Sequence, residues 1–199
     1  RSDRDWSSDV CSSDLKSKIQ TEEYLQNKKI INYVILRYFN VAGADPSMRS
    51  GLISKEPTHL IKIASEVAVG KREKVVIFGN DYPTPDGTAI RDYIHVSDLA
   101  DIHVKAAEHL VRNQKSTILN CGYGRGFSVE KVLEIANAVN NKPIPFEMGS
   151  RRAGDAAMLV SNVSKLHQLL DWKPKHNDLS FIIKTAIEWE RKLMENENA

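Results

Sequence analysis

Apolar positions along the chain recur at two alternating periods. From about Ser17 to Lys28, Ile19, Tyr24 and Leu25 stand among Lys, Gln and Glu, the pattern of an amphipathic helix. Val34 to Tyr38 is β-branched and aromatic, apolar on both faces, and closed by Ala-Gly-Ala-Asp-Pro, which predicts a buried parallel strand. "THLIKIASEVAVG" returns to helical spacing, with Thr58 as N-cap and Gly70 just past the end. "KVVIFGNDYPTPDGTAIRDYIHV" reads as strand, long polar turn and strand, with Pro85-Asp86-Gly87 supplying the turn chemistry. "SDLADIHVKAAEHLV" is a helix capped at Ser97 or Asp98.

The alternation continues to the end. "STILNCG" is a strand, "YGRGFS" a glycine-bearing loop, and "VEKVLEIANAV" a helix capped by Ser128. "IPFEM" is a short strand, "GSRRAGDAAMLVSN" a loop of little periodicity, and "VSKLHQLLDW" a short helix. "LSFIIKTAIEWERKLM" is a terminal helix that turns Leu179, Ile182, Ile183, Ala186 and Ile187 inward, with "ENENA" as its frayed end. Strands and helices in turn place the chain in the α/β class. Only the opening "RSDRDWSSDVCSSDL" has neither period.

Composition narrows the partners. Among 199 residues, 28 Lys and Arg face 26 Asp and Glu, and the charges are scattered. That balance gives no bulk attraction for nucleic acid or an anionic membrane, although a few placed arginines suffice to hold a small anion. No apolar run approaches the roughly 18 residues of a membrane span, and the opening segment lacks the basic start and apolar middle of a secretory signal. Two cysteines, Cys11 and Cys121, make no disulfide framework. A soluble protein of the reducing cytoplasm is the expectation.

Few residues advertise chemistry. Gly122, Gly124 and Gly126 form G-x-G-x-G between a strand and a helix. A dinucleotide loop needs G-x-G-x-x-G, and position 127 is Phe, so a tight turn is the better reading. Arg91, beyond the long turn, is either a ligand for a phosphate pair or half of a surface salt bridge with Asp92 or Asp86. Arg151 and Arg152 offer a second basic fork beside Asp155, whose carboxylate suits a sugar hydroxyl; a solvated loop is the alternative. Asn40 follows a strand, where α/β folds place ligand contacts, but also suits a turn. His95, His103 and His109 share no i, i+4 face, so no metal site is expected. Lys18 by itself reads as solvated surface.

Four longer stretches say more together: "LRYFNVAGADP", "VIFGNDYPTPDGTAIRDYIHVSDLADIHVKA", "NCGYGRGFSVEKVL" and "RRAGDAAMLVSNVSKLHQLLDWKP". They closely resemble the UDP-glucose (UDP-galactose) 4-epimerases of the extended short-chain dehydrogenase/reductase family, from Lys16 to about Met194. The resemblance implies the last strands of a Rossmann-like doubly wound sheet plus a small substrate-binding α/β domain. Residues 16–57 and 89–125 would belong to the former, and 58–88 and 126–199 to the latter. The family's glycine-rich NAD loop and catalytic serine and tyrosine precede the first matching residue. If Lys18 is the lysine of the family's Tyr-x-x-x-Lys, the tyrosine belongs where Asp14 stands. Residues 1–15 accordingly look like translated adapter sequence, a disordered leader foreign to the protein.

The resemblance further implies NAD as cofactor, a UDP-sugar as substrate and a homodimeric parent acting in galactose metabolism. Lys18 would assist the missing tyrosine and hold the nicotinamide ribose, and Phe39 would touch the nicotinamide. Asn40, Arg91, Arg152 and Asp155 would hold the nucleotide sugar. His59, Leu60, Val76, Ile77 and Phe78 would line its cleft, with Phe78 near the uracil. Leu159 stands where some members carry a tyrosine beside the sugar's 2-substituent. The chain as written is expected to be inactive by itself. A sister dehydratase or decarboxylase, and a non-catalytic UDP-sugar binding module, are the competing readings.

Overall fold

A computed structural model describes residues 13–28 and 31–197. In chain order these form α1 (Ser13–Asn27), β1 (Val34–Tyr38), β2 (Asn40–Ala42), α2 (Leu60–Ala68), β3 (Val75–Phe78), β4 (Ile90–His95) and α3 (Val96–Asn113). Then come β5 (Thr117–Cys121), β6 (Gly126–Ser128), α4 (Val129–Asn140), β7 (Phe146–Gly149), β8 (Met158–Leu159), α5 (Ser164–Leu169) and α6 (Leu179–Glu197). The expected disorder of residues 1–12 lies outside the described residues; Ser13 to Leu15 already belong to α1.

β1 and β5 pair in parallel, from Val34 opposite Thr117 to Tyr38 opposite Cys121, as the two apolar runs predict. Among the described residues β1 has no second strand partner. The chain then leaves this sheet. Phe39 donates its N–H to the Cys121 carbonyl at 3.1 Å, and β2 joins β4 instead, in parallel, with Asn40 opposite Tyr93. β4 also carries β6 antiparallel and β8 parallel. A third, two-stranded sheet pairs β3 with β7 in parallel, Val75 opposite Phe146.

Two apolar cores follow from this layout. Ile61 and Ala64 of α2, Val75 and Ile77 of β3, Val132 and Ala136 of α4, and Leu179, Ile182, Ile183 and Ile187 of α6 form one. Ala186 packs against it, which completes the inward stripe expected of the terminal helix. Ile94, Leu99, Ile102, Leu119 and Cys121 form the other, joined by Leu166, Leu170 and Trp172 from beyond β8. The C-terminal third of the chain therefore contributes to both cores.

Several local expectations are corrected. Thr58 does not cap α2; His59 occupies that position and makes no side-chain cap bond. Gly70 does follow the end of α2, with φ +85°, a left-handed conformation that glycine adopts without a Cβ penalty. α3 begins before Ser97, and its cap is the His95 side chain, whose Nδ1 accepts the Ser97 N–H at 3.1 Å. An imidazole serves here because His95 is fully buried and already aimed at the helix start. Ser128 caps α4 as expected, accepting from the Lys131 N–H. The supposed loop from Gly149 to Asn162 contains β8, a pairing too short for alternation to reveal.

Candidate functional site

A cleft of about 1280 Å³ opens where β1 and β2 end. Ser17, Lys18 and Glu22 of α1 border it, with Ile35 to Gly43 along β1 and β2. His59 to Lys62 at the start of α2, Gly154 to Ala156, and Leu159 and Val160 complete much of the wall. Seven residues singled out from the sequence thus share one cleft: Lys18, Phe39, Asn40, His59, Leu60, Asp155 and Leu159. The switch at Phe39 from one sheet to the other brings them together. The cleft runs along both strands and past the carboxyl end of β2, where open α/β sheets usually hold ligands.

Arg91, Arg152, Val76, Ile77 and Phe78 are not among the residues lining this cleft. Ile77 is core, 2% exposed. The Arg152 guanidinium lies 3.8 Å from the centroid of the Phe78 ring, and Arg151 caps Tyr82 in the same way at 4.1 Å. Arg91 sits directly behind Asp155. Its Nη2 donates to Asp155 Oδ1 in a short ion pair, and its Nη1 donates to the Ile90 carbonyl at 2.8 Å. Arg91 is therefore ion-paired, but with neither of the neighbours its sequence position suggested.

Those neighbours have other work. Asp86 accepts from the N–H and hydroxyl of Thr88 at 2.9 and 2.8 Å and so closes the Pro85-Asp86-Gly87 turn. Asp92 is completely buried and accepts from the N–H groups of Tyr123, Gly124 and Ser161 at 3.0, 2.9 and 3.1 Å, and from the Ser161 hydroxyl. This carboxylate ties β4 to the turn after β5 and to the segment after β8. A Cβ on Gly122 would lie 2.3 Å from Ser161 Oγ and 2.6 Å from Asp92 Oδ2. Gly122 and Gly124 thus lie in a closely packed turn, as the incomplete spacing suggested, and Gly126 begins β6.

Ion pairs frame the rest of the cleft. Arg37 forks onto Glu22, its Nε and Nη2 2.9 and 2.5 Å from the two carboxylate oxygens, which fastens α1 to β1 and raises the Arg37 pKa. On the opposite side Lys62 donates to Glu190, a carboxylate 1% exposed, and lies 3.4 Å from Glu66. Sequence reading missed this pair and the loop beside it. Ser50, Gly51 and Leu52 line the cleft, held by Trp189, whose indole N–H donates to the Leu52 carbonyl at 3.3 Å. A helical Trp-Glu so near the chain's polar end carries no signal of a ligand. Among the described residues no group of three or more His, Cys, Asp and Glu is arranged to hold a metal ion, and no helix is long and apolar enough to cross a membrane.

Residues 16–122 match the NAD dependent epimerase/dehydratase family. The chain belongs to that family. It is 48% identical over 180 residues to the UDP-glucose 4-epimerase of Azospirillum brasilense, a match covering 89% of this chain and 52% of that protein. The family fold is equally clear in solved structures. The UDP-glucose 4-epimerase of Bifidobacterium longum, solved with NAD+ and UDP, superposes with a TM-score of 0.79 at 34% identity, covering 89% of this chain and 52% of that one. The UDP-Glc/GlcNAc 4-epimerase of Campylobacter jejuni is 43% identical with a TM-score of 0.69, over 89% of this chain and 54% of that one. The chain spans about half the length of these epimerase relatives.

Proposed function

We propose that this chain is the UDP-sugar-holding part of a UDP-glucose 4-epimerase, which inverts the sugar C4 through a 4-keto intermediate. The observation that carries this reading is the convergence of Lys18, Phe39, Asn40, His59, Leu60, Asp155 and Leu159 on one cleft, with a positioned arginine behind Asp155. Phosphate recognition needs a guanidinium held in place before the ligand arrives. Arg91 meets that condition, anchored to its own backbone and largely buried. Asn40 and Asp155 supply polar contacts for ribose and hexose hydroxyls. Leu159 marks the side of the cleft where the sugar's 2-substituent lies. Arg152 and Phe78 present a stacked cation and ring near the same loop, suited to a uracil after a modest rearrangement.

The described residues fit one end of NAD. Lys18 and Phe39 border the cleft where a nicotinamide riboside would lie, whereas the Gly122–Gly126 turn is filled by Asp92 and Ser161 and offers no seat for a pyrophosphate. NAD, when bound, supplies the acceptor for the hydride that leaves C4. The contribution of this chain's own residues is to grip the nucleotide by its diphosphate while leaving the hexose room to turn. A homodimeric, cytoplasmic parent in galactose metabolism follows from the same family reading.

Calorimetric titration of the 199-residue chain with UDP and with UDP-galactose tests the proposal. Saturable binding of both is expected, and Arg91→Ala should weaken both by at least about tenfold through loss of a charge-assisted contact. Absence of saturable UDP binding would overturn it.

A further inference from the structure

The ion pair between Arg91 and Asp155 occupies the guanidinium that the proposed reading assigns to a diphosphate. Two features decide which partner is able to leave. Arg91 is fixed: its side chain is 11% exposed, and Nη1 is tied to the Ile90 carbonyl. Asp155 is the more exposed and less tethered partner. Its side chain is 33% exposed and stands on the cleft wall, and its other oxygen receives only a long hydrogen bond, 3.4 Å, from the Tyr82 hydroxyl. It follows Gly154, whose φ of +76° lies in the left-handed region where glycine turns freely.

We propose that Asp155 is an internal stand-in for the ligand's phosphate, and that nucleotide binding is an exchange of partners at Arg91. The arriving diphosphate takes the guanidinium, and the displaced carboxylate swings into the cleft, where it accepts a hydrogen bond from a ligand hydroxyl. No covalent bond changes; one anion replaces another on the same cation. The exchange makes the site discriminate between anions. Inorganic pyrophosphate must break the ion pair and gains nothing from the released carboxylate. A nucleoside diphosphate breaks it and recovers the loss through its ribose. Binding energy is thus conditional on the ligand carrying both groups, a form of specificity built on an unfavourable alternative. This inference rests on the proposed UDP-sugar reading for the identity of the natural ligand, but not for the exchange itself.

The probes are inorganic pyrophosphate and UDP, titrated against the 199-residue chain and its Asp155→Asn variant. Neutralising the stand-in should tighten pyrophosphate about tenfold, the effect of freeing one partly exposed charge-assisted pair. The same change should weaken UDP, which loses the carboxylate its hydroxyl uses. Asp155→Ser should repeat this crossover, and Arg91→Gln should abolish pyrophosphate binding whichever residue stands at 155. Unchanged or weaker pyrophosphate binding in both Asp155 variants would overturn the exchange, while leaving the UDP reading intact if the unaltered chain binds UDP. Tighter pyrophosphate binding without any UDP binding would support the exchange and defeat the UDP reading. Failure of every variant to bind pyrophosphate would defeat the exchange.

Discussion

The imidazole of His95 packs against that of His176, ring centroids 4.6 Å apart and planes inclined by 47°. Phe181 closes the cluster, with its ring 5.6 Å from His95 and 5.0 Å from His176. His95 is fully buried at the junction of β4, α3 and α6, where its Nε2 lies 3.3 Å from the Thr185 hydroxyl. Since Nδ1 accepts from Ser97, the ring proton sits on Nε2 and is donated to Thr185 Oγ1. Thr185 Oγ1 in turn accepts from the Ala44 N–H, next to the cleft segment that ends in Gly43.

A pH dependence follows. Burial first, and then His176, lower the His95 pKa from 6.5 to about 4, against smaller opposing pulls from Asp98 and Asp45. The unfolded chain takes the proton near pH 6.5 and the native chain only near pH 4. The stability linked to this group is therefore complete above about pH 6.5 and is lost as the pH falls toward about 4, by up to ~3 kcal/mol. Asp45, held near 2 chiefly by Arg49, titrates below that window. Urea unfolding between pH 7 and 4 should show the decline. His95→Asn, which keeps an acceptor for the helix cap, should flatten it.

Removing the Asp92 carboxylate should unfasten three segments at once. Asp92→Ala leaves the N–H groups of Tyr123 and Ser161 without their acceptor and Gly124 with the Ser161 hydroxyl alone, and should cost about 3 kcal/mol. Ser161→Ala removes one hydroxyl donor from the same carboxylate and should cost about 1 kcal/mol. Comparable small losses in the two variants, measured by chemical denaturation, would show that solvent replaces the carboxylate.

Gly51 lies so close to Trp189 that an added Cβ would stand 2.5–2.6 Å from the indole. Gly51→Ala should destabilise the chain by about 1–3 kcal/mol through overpacking. It should also shift the Ser50–Leu52 rim of the cleft and weaken UDP binding. Trp189→Phe loses the N–H donated to Leu52 and should cost about 1 kcal/mol. Combined, the two changes should fall short of their sum, because both act on one contact.

Lys62 and Glu190 are both buried, so breaking the pair differs from deleting it. Lys62→Met leaves a carboxylate 1% exposed without its nearest cation and should cost about 3–5 kcal/mol. Lys62→Met with Glu190→Leu should recover most of that loss. A double variant no more stable than the single one would mean that Glu190 draws its support from Lys71, 3.8 Å away.

Leu159 lines the cleft and pairs with Arg91 across β8 and β4. On the proposed UDP-sugar reading, leucine, smaller than tyrosine and without its hydroxyl, leaves room for an acetamido group on the sugar. UDP-N-acetylglucosamine should bind alongside UDP-glucose. Leu159→Tyr should weaken the N-acetyl ligand selectively, by about 1–3 kcal/mol of discrimination. Equal weakening of both ligands in competition titrations would remove this role.

Helix and strand positions were legible in the sequence because each reports its own burial through a local period. Val34–Tyr38 and Thr117–Cys121 are apolar on both faces and do pair as parallel neighbours, and the inward stripe of α6 is spelled out from Leu179 to Ile187. The longer motifs identified the family, and Asn40, Asp155 and Leu159, which they singled out, line a common cleft. Partner choice was decided only by tertiary structure. Arg91 had two acidic residues nearby in sequence, yet it pairs with Asp155, 64 positions away, because β8 comes to lie beside β4. His95 displaced Ser97 as the cap of α3, and Trp189 gripped the loop at Gly51, for the same physical reason. A period reveals which face of an element is buried, whereas the group met across that face depends on which distant segment the packing brings there.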